Sequence, residues 1–131
     1  MWSSACGLSI LSPMFNDTVL DHFRNPRNAG NLDDPTAVVE VTNPVCGDIL
    51  RLSVRLEDER IVSVRFKTRG CVAAIASGSV LTELMIGKSP AQVRAITANR
   101  ISEALGGLPP ATFHAAQLCS DALAALAAKI S

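Results

Sequence analysis

The chain has 131 residues, of which 48% are hydrophobic and 18% charged, and this length and composition suit one globular domain with its own core. Its 12 basic and 12 acidic residues cancel, and the absence of a basic block together with an aromatic content of only 4% argues against a nucleic-acid partner. No apolar run is long enough to span a membrane and the N-terminus lacks a basic signal, so we expect a cytoplasmic, reducing setting, where cysteines indicate metal binding or reactivity more often than disulfides.

The N-terminal residues differ from the rest of the chain. Residues 1–13 follow no periodic pattern, so we interpret them as an extension that precedes a single domain over residues 14–131. Cys6 lies within this extension, and we interpret it as a thiol without a role in any site.

A short helix is predicted from Asn16 to Arg24, because apolar residues recur there at helical spacing. Asn16 and Asp17 are suited to cap its N-terminus, and Asn25-Pro26 is expected to stop it. The stretch rich in Gly, Asn, Asp and Pro that follows, residues 28–35, is predicted to be a loop.

Three strands are predicted next. Residues 37–41 form the first, and residues 50–56 alternate Leu or Val with Arg or Ser, which is typical of a half-buried strand. Residues 62–66 repeat this alternation, with Val62 on the apolar side, after a polar turn at residues 57–60. These two alternating runs predict an antiparallel hairpin with one wet face.

Helices dominate the second half of the chain. Residues 72–86 are mostly apolar and predict a buried helix, and Ser89 opens a capping box for a short helix. Asn99 is expected to cap a helix that reaches Leu105, and the last helix is predicted over residues 112–130. Strands followed by helices indicate an α+β domain whose sheet is covered by helices on one face.

Cys46 and Cys71 lie in the two most distinctive stretches of the sequence. Each adjoins a glycine at the boundary of a predicted element, and Asp48 adds an oxygen donor close to Cys46. Because the N-terminus of a helix favours a thiolate, we expect Cys71 to be in the form that binds metal. The starts of the hairpin and of the buried helix can meet at one edge of the domain, which predicts a soft-metal or iron–sulfur site there.

Two histidines and a further cysteine are the other candidate donors. His114 and Cys119 lie in the last predicted helix, five residues apart, and a histidine near a thiol is consistent with a metal ligand. Cys119 also lies on an apolar stripe of that helix, so a core position is the alternative to a ligand. His22 has no thiol near it in sequence, and we interpret it as a residue outside the site.

At these residues the chain resembles the NifU/IscU-type family of iron–sulfur cluster assembly scaffolds, specifically the NifU N-terminal domain. Four stretches carry the resemblance, and they lie at residues 19–30, 43–48, 66–79 and 108–114. The resemblance extends from Phe15 to the C-terminus. It implies an IscU/SufE-like fold, in which helices pack on one face of a three-stranded antiparallel sheet.

The resemblance implies a scaffold and not an enzyme. Members of the family receive sulfur from a cysteine desulfurase, combine it with iron into a labile [2Fe–2S] cluster, and pass that cluster to apo iron–sulfur proteins. They hold the cluster on three cysteines plus a His or Asp, and many bind Zn²⁺ or iron at the same ligands without it. By position, Cys46, Asp48, Cys71 and His114 match these ligands. We expect no membrane partner, and a monomer or weak homo-oligomer.

Two positions depart from the family pattern. The family's third cysteine usually follows the histidine directly, where this chain has Ala115. Cys119 lies one turn later, about 6 Å along a helix axis, so it replaces the missing thiol only if the helix slides or the ligand set rearranges. Ala111-Thr112 stands where many relatives have an aliphatic residue and a lysine recognised by an Hsp70-type chaperone, which argues against handoff through such a chaperone.

Three hypotheses follow from these observations. In the favoured one, the chain is a cluster scaffold that uses Cys46, Cys71, His114 and either Asp48 or Cys119. In the second, it is a persulfide sulfur carrier with Cys71 or Cys46 as the nucleophile. In the third, it is a zinc-bound regulator of a cysteine desulfurase. A [2Fe–2S] absorption band distinguishes the first hypothesis from the others.

Overall fold

The computed structural model describes residues 15–44 and 47–130. Its elements in chain order are α1 (Asp17–Arg24), β1 (Ala37–Thr42), β2 (Ile49–Glu57), β3 (Arg60–Arg69), α2 (Val72–Met85), α3 (Pro90–Arg94), α4 (Ala98–Ala104), a 3₁₀ turn (Pro110–Thr112) and α5 (His114–Ile130). The strands form one antiparallel sheet in the order β1-β2-β3. The predicted α+β class and the three-stranded sheet are therefore confirmed.

A tight turn joins β2 and β3. Asp58 and Glu59 both have positive φ angles, of 54° and 60°, and the residues on either side of them, Glu57 and Arg60, are paired. Two consecutive positive φ angles are characteristic of a type I′ turn, whose twist matches that of an antiparallel hairpin. The polar turn predicted over residues 57–60 is confirmed.

One side chain of this hairpin lies on the opposite face from the one predicted. The register between β2 and β3 shifts between Arg55 and Leu56. Leu56 pairs with Ile61, and Val62 has no partner in the register. As a result Val62 is 43% exposed, whereas Ile61 is fully buried. The prediction that Val62 lies on the apolar face is wrong, because an extra residue in a strand reverses the faces of the residues beyond it.

The loop after α1 contacts the edge of β3. Phe66 donates its backbone N–H to the carbonyl of Asn28 and accepts a hydrogen bond from the N–H of Gly30. These bonds form a short parallel bridge centred on Ala29. The Asn28 side chain also donates to Thr82 Oγ1 of α2, so this loop joins the sheet edge to the helical layer.

Helix α2 is buried along most of its length. Every residue over 73–82 is buried, as the apolar run predicted. A Cβ atom at Gly78 would lie 2.6 Å from the ring of Phe66. Only glycine therefore allows the helix to approach β3 this closely.

The helix caps agree with the sequence at two positions and differ at a third. The side chains of Asn16 and Ser89 cap α1 and α3 as predicted. The N-cap of α4 is Thr97, whose hydroxyl accepts a hydrogen bond from a backbone N–H of that helix. The prediction of Asn99 as the cap is wrong, because Thr97 lies earlier in the chain and already has the extended backbone of an N-cap.

The hydrophobic core lies between the sheet and the helices. Leu50, Leu52 and Val54 of β2 are almost completely buried, as are Leu81 of α2 and Leu126 of α5. Both of these helices pack on the sheet. Among the described helices, none combines the length and the apolar character that crossing a membrane requires.

Candidate functional site

Asp48 lies buried just before β2. The residue is only 8% exposed, and its carbonyl accepts a hydrogen bond from the backbone N–H of Asn43. A Cβ atom at Gly70 would lie 2.8 Å from Asp48 Cγ, so the absence of a side chain at residue 70 makes room for the carboxylate. The start of β2 and the end of β3 thus hold this carboxylate between them.

Cys71 occupies the N-cap position of α2. The residue is exposed, and its Sγ atom lies 3.9 Å from Asp48 Oδ2. Partial burial raises the pKa of the thiol, the backbone N–H of Ala74 opposes this, and the charge of Asp48 adds to the rise. In the metal-free protein, burial and the nearby anion oppose the thiolate form that the helix N-terminus favours. A bound metal ion replaces the proton of such a thiol.

His114 is the first residue of α5. The helix was predicted from about residue 112 and starts two residues later, because Pro110–Thr112 forms a 3₁₀ turn with its own hydrogen bonds. The Nε2 atom of His114 lies 3.6 Å from Asp48 Oδ2, and the His114 side chain is 36% exposed. The imidazole therefore approaches the buried carboxylate from the solvent side.

Asp48, Cys71 and His114 form one group of donors. One ligand atom from each lies within 4.8 Å of the other two. Around a tetrahedral ion with bonds of about 2.0–2.3 Å, ligand atoms lie about 3.5 Å apart. Small side-chain movements are therefore enough to bring these three atoms onto one ion. A thiolate, an imidazole and a carboxylate are a donor set suited to zinc or iron.

Among the described residues, Cys119 is the one other cysteine, and it does not belong to this group. Cys46 and Cys6 lie outside the described residues. Cys119 is 1% exposed within the hydrophobic core, and burial raises its pKa to about 12. Because a ligand to metal is a thiolate, this environment disfavours the form of Cys119 that binds.

His22 has a different set of partners, which connect α1 to α2. Its Nδ1 atom lies 2.7 Å from Ser79 Oγ, and its Nε2 atom lies 3.6 Å from Glu83 Oε1. The same Ser79 oxygen accepts a hydrogen bond from the backbone N–H of Arg27. Burial and the charge of Arg27 lower the pKa of His22. These contacts fit the interpretation of His22 as a residue outside the site.

The contact between Gly70 and Asp48 was not evident from the sequence. The available signal was the glycine that directly precedes Cys71, at the end of a predicted strand. The partner of Gly70 could not be inferred, because the carboxylate reaches it only through the pairing of β2 with β3.

The sequence matches the family model described as NifU-like N terminal domain over residues 14–130. It is 46% identical over 110 residues to the iron–sulfur cluster assembly scaffold protein IscU 1 of Archaeoglobus fulgidus. This match covers 84% of this chain and 72% of the relative. The IscU scaffold protein of Escherichia coli K12 is 42% identical over 115 residues, covering 85% and 89%. A crystal structure of a nitrogen-fixing NifU-like protein (N-terminal) from Brucella abortus, 21% identical, superposes with a TM-score of 0.62 over 92% of this chain and 85% of that one. This last likeness shows a common fold.

Proposed function

Because this chain belongs to the NifU-like N-terminal domain family, we propose that it is an iron–sulfur cluster assembly scaffold. The observation that carries the proposal is the group formed by Asp48, Cys71 and His114, whose ligand atoms lie within 4.8 Å of one another. In this proposal the chain receives iron and sulfur, holds them as a labile [2Fe–2S] cluster, and releases the cluster to an apo-protein. The cluster is its cargo.

Cys46 completes the proposed ligand set. It is two residues from Asp48 in sequence, so the chain keeps their Cα atoms within about 7 Å of each other. Together with Cys71 and His114, these residues supply two thiolates, an imidazole and a carboxylate. A set with fewer thiolates than the usual Cys₄ arrangement gives the cluster fewer soft ligands, and we expect it to be lost more readily.

The exposure of the donors suits transient binding. Cys71 is exposed and His114 partly so, and iron, sulfide and an acceptor protein can approach both from solvent. Asp48 is mostly buried and forms the inner side of the site. In this proposal a cysteine desulfurase supplies the sulfur, and apo iron–sulfur proteins receive the cluster. The residues of the site bind and position this cargo, so no enzymatic step is assigned to the chain.

Cys119 is left out of the proposed ligand set. The thiol lies in the core, where burial raises its pKa. Binding a cluster requires the thiolate, so the core position disfavours Cys119 as a ligand. Cys119→Ala is therefore a matched control for Cys71→Ser, since each removes one thiol but only the second removes a proposed ligand.

The test is anaerobic reconstitution with iron, cysteine, a cysteine desulfurase and a thiol reductant that converts the transferred persulfide sulfur to sulfide, followed by visible absorption and iron and zinc analysis. We expect a [2Fe–2S] chromophore in the wild type and in Cys119→Ala, and none in Cys71→Ser. Equal chromophore in Cys71→Ser would contradict the site. Protein-bound persulfide without a chromophore would favour the sulfur-carrier hypothesis, and zinc that iron does not displace would favour the regulator hypothesis.

A further inference from the structure

The solvent-facing side of the sheet is strongly basic, although the whole chain has no net charge. Arg51 of β2 pairs directly with Lys67 of β3, and Arg69 lies at the end of β3 opposite Ile49. All three basic side chains are exposed. They line an open concavity of about 500 Å³, and Glu40 is the one acidic residue among the described residues of its lining. We call Arg51, Lys67 and Arg69 the basic face.

The positive charge of the basic face is only partly balanced within the sheet, where Glu40 of β1 lies directly opposite Arg51. In the part of the chain that the structure describes, no carboxylate forms an ion pair with any of its three side chains. Like charges directly opposite each other on neighbouring strands repel, so the pairing of Arg51 with Lys67 opposes sheet stability. An anionic partner removes this repulsion when it binds.

An apolar groove adjoins the basic face. It has a volume of about 250 Å³ and is lined by Phe23 and Pro26 at the end of α1, and by Ile75 of α2. Lys67 and Thr68 line both the groove and the basic concavity. The charged surface and the apolar pocket are therefore continuous.

We propose that the basic face and this groove together dock an acidic protein segment that carries an aliphatic or aromatic side chain beside its carboxylates. The carboxylates pair with Arg51, Lys67 and Arg69, since arginine binds carboxylates through two parallel hydrogen bonds. The apolar side chain enters the groove. A nucleic acid fits the surface less well, because none of the described residues that line the basic concavity is aromatic and could stack on a base.

The docking surface lies close to Cys71, one of the proposed cluster ligands. Arg69 is two residues before Cys71, and Ile75 is one helical turn after it. A segment held on both features lies next to the proposed cluster ligand. This inference rests on the proposed function and deepens it, because it describes the surface by which an acidic partner protein reaches the site.

The test is fluorescence anisotropy of the metal-free protein with a labelled peptide in which a Leu-Phe pair is flanked by runs of glutamate. We expect Arg51→Glu to weaken binding at least about tenfold and Arg69→Gln to weaken it less, with affinity falling as salt rises from about 50 to 200 mM. Arg100→Glu makes an equal change of charge at an exposed position of α4, and this variant should bind like the wild type. Replacing Leu-Phe by Gly-Gly in the peptide should also weaken binding.

Several results would overturn the proposal. They are unchanged binding in Arg51→Glu and Arg69→Gln, an equal loss in Arg100→Glu, no effect of removing Leu-Phe, or tighter binding of a single-stranded oligonucleotide of equal charge. Circular dichroism checks that each variant is folded. Because the assay contains no iron or sulfide, failure of docking and failure of cluster assembly are separate results.

Discussion

The carboxylate of Asp48 occupies the space that a side chain at residue 70 would fill. A Cβ atom there would lie 2.8 Å from Asp48 Cγ and 2.9 Å from Ala74 Cβ, so Gly70→Ala displaces either the carboxylate or the start of α2. Since groups that orient metal ligands typically contribute a factor of about 10–100 to metal affinity, we expect at least about a tenfold loss of Zn²⁺ affinity. Competition with a chromophoric chelator measures it.

The matched control for Gly70→Ala is Gly78→Ala. It also forces a methyl group into a tight contact, but against the ring of Phe66 and not against a proposed ligand. We expect its folded form to bind Zn²⁺ with wild-type affinity. Equal affinities of Gly70→Ala and the wild type would show that residue 70 does not set the position of the carboxylate.

The buried imidazole of His22 makes stability depend on pH. Burial and Arg27 lower its pKa in the folded state, despite the opposing charges of Glu83 and Asp21. The unfolded chain therefore binds a proton first as pH falls, and the free energy of unfolding should decrease below about pH 6.5 until the folded state is protonated as well.

Urea denaturation at a series of pH values tests this expectation for His22. Between about pH 7 and pH 5, the decrease in the free energy of unfolding should be smaller in His22→Gln, because a glutamine side chain cannot be protonated in this range. Parallel pH profiles for the variant and the wild type would show that the His22 imidazole is not responsible.

At the level of elements, the contact between α2 and β3 is set by one small residue. The ring of Phe66 lies where a Cβ of Gly78 would be, at 2.6 Å. Alanine gains about 1 kcal/mol over glycine in helix propensity, but overpacking typically costs about 1–3 kcal/mol, so we expect Gly78→Ala to lower the free energy of unfolding. Chemical denaturation measures this change, and a more stable variant would contradict the packing described.

The strands and helices themselves were largely predictable from local patterns. The start of α3 was predictable from Ser89, because a capping box involves only residues close in sequence. The β2–β3 turn was evident from its polar residues. The face on which Val62 lies was not predictable, since the bulge arises from how two strands pair. Thr97 and Asn99 are both acceptable caps by residue type, and only the backbone conformation of Thr97 distinguishes them.

At the scale of the whole molecule, the fold gathers donors that are distant in sequence. Asp48 precedes β2, Cys71 begins α2 and His114 begins α5, and no spacing rule places three such positions together. The motifs and their resemblance to a family identified these residues as candidates. The core position of Cys119 could not be decided from sequence, because its apolar stripe and its nearness to His114 pointed to different roles.

The proposed scaffold role requires that the chain hold an iron–sulfur cluster only until another protein takes it. The most direct measurement is transfer of the cluster from the reconstituted chain to an apo [2Fe–2S] protein, followed by circular dichroism in the visible range. We expect the acceptor's spectrum to develop faster than with free iron and sulfide, and we expect that a chelator in solution does not prevent the transfer. A cluster that stays on the chain, or transfer that the chelator abolishes, would contradict the assignment as a scaffold.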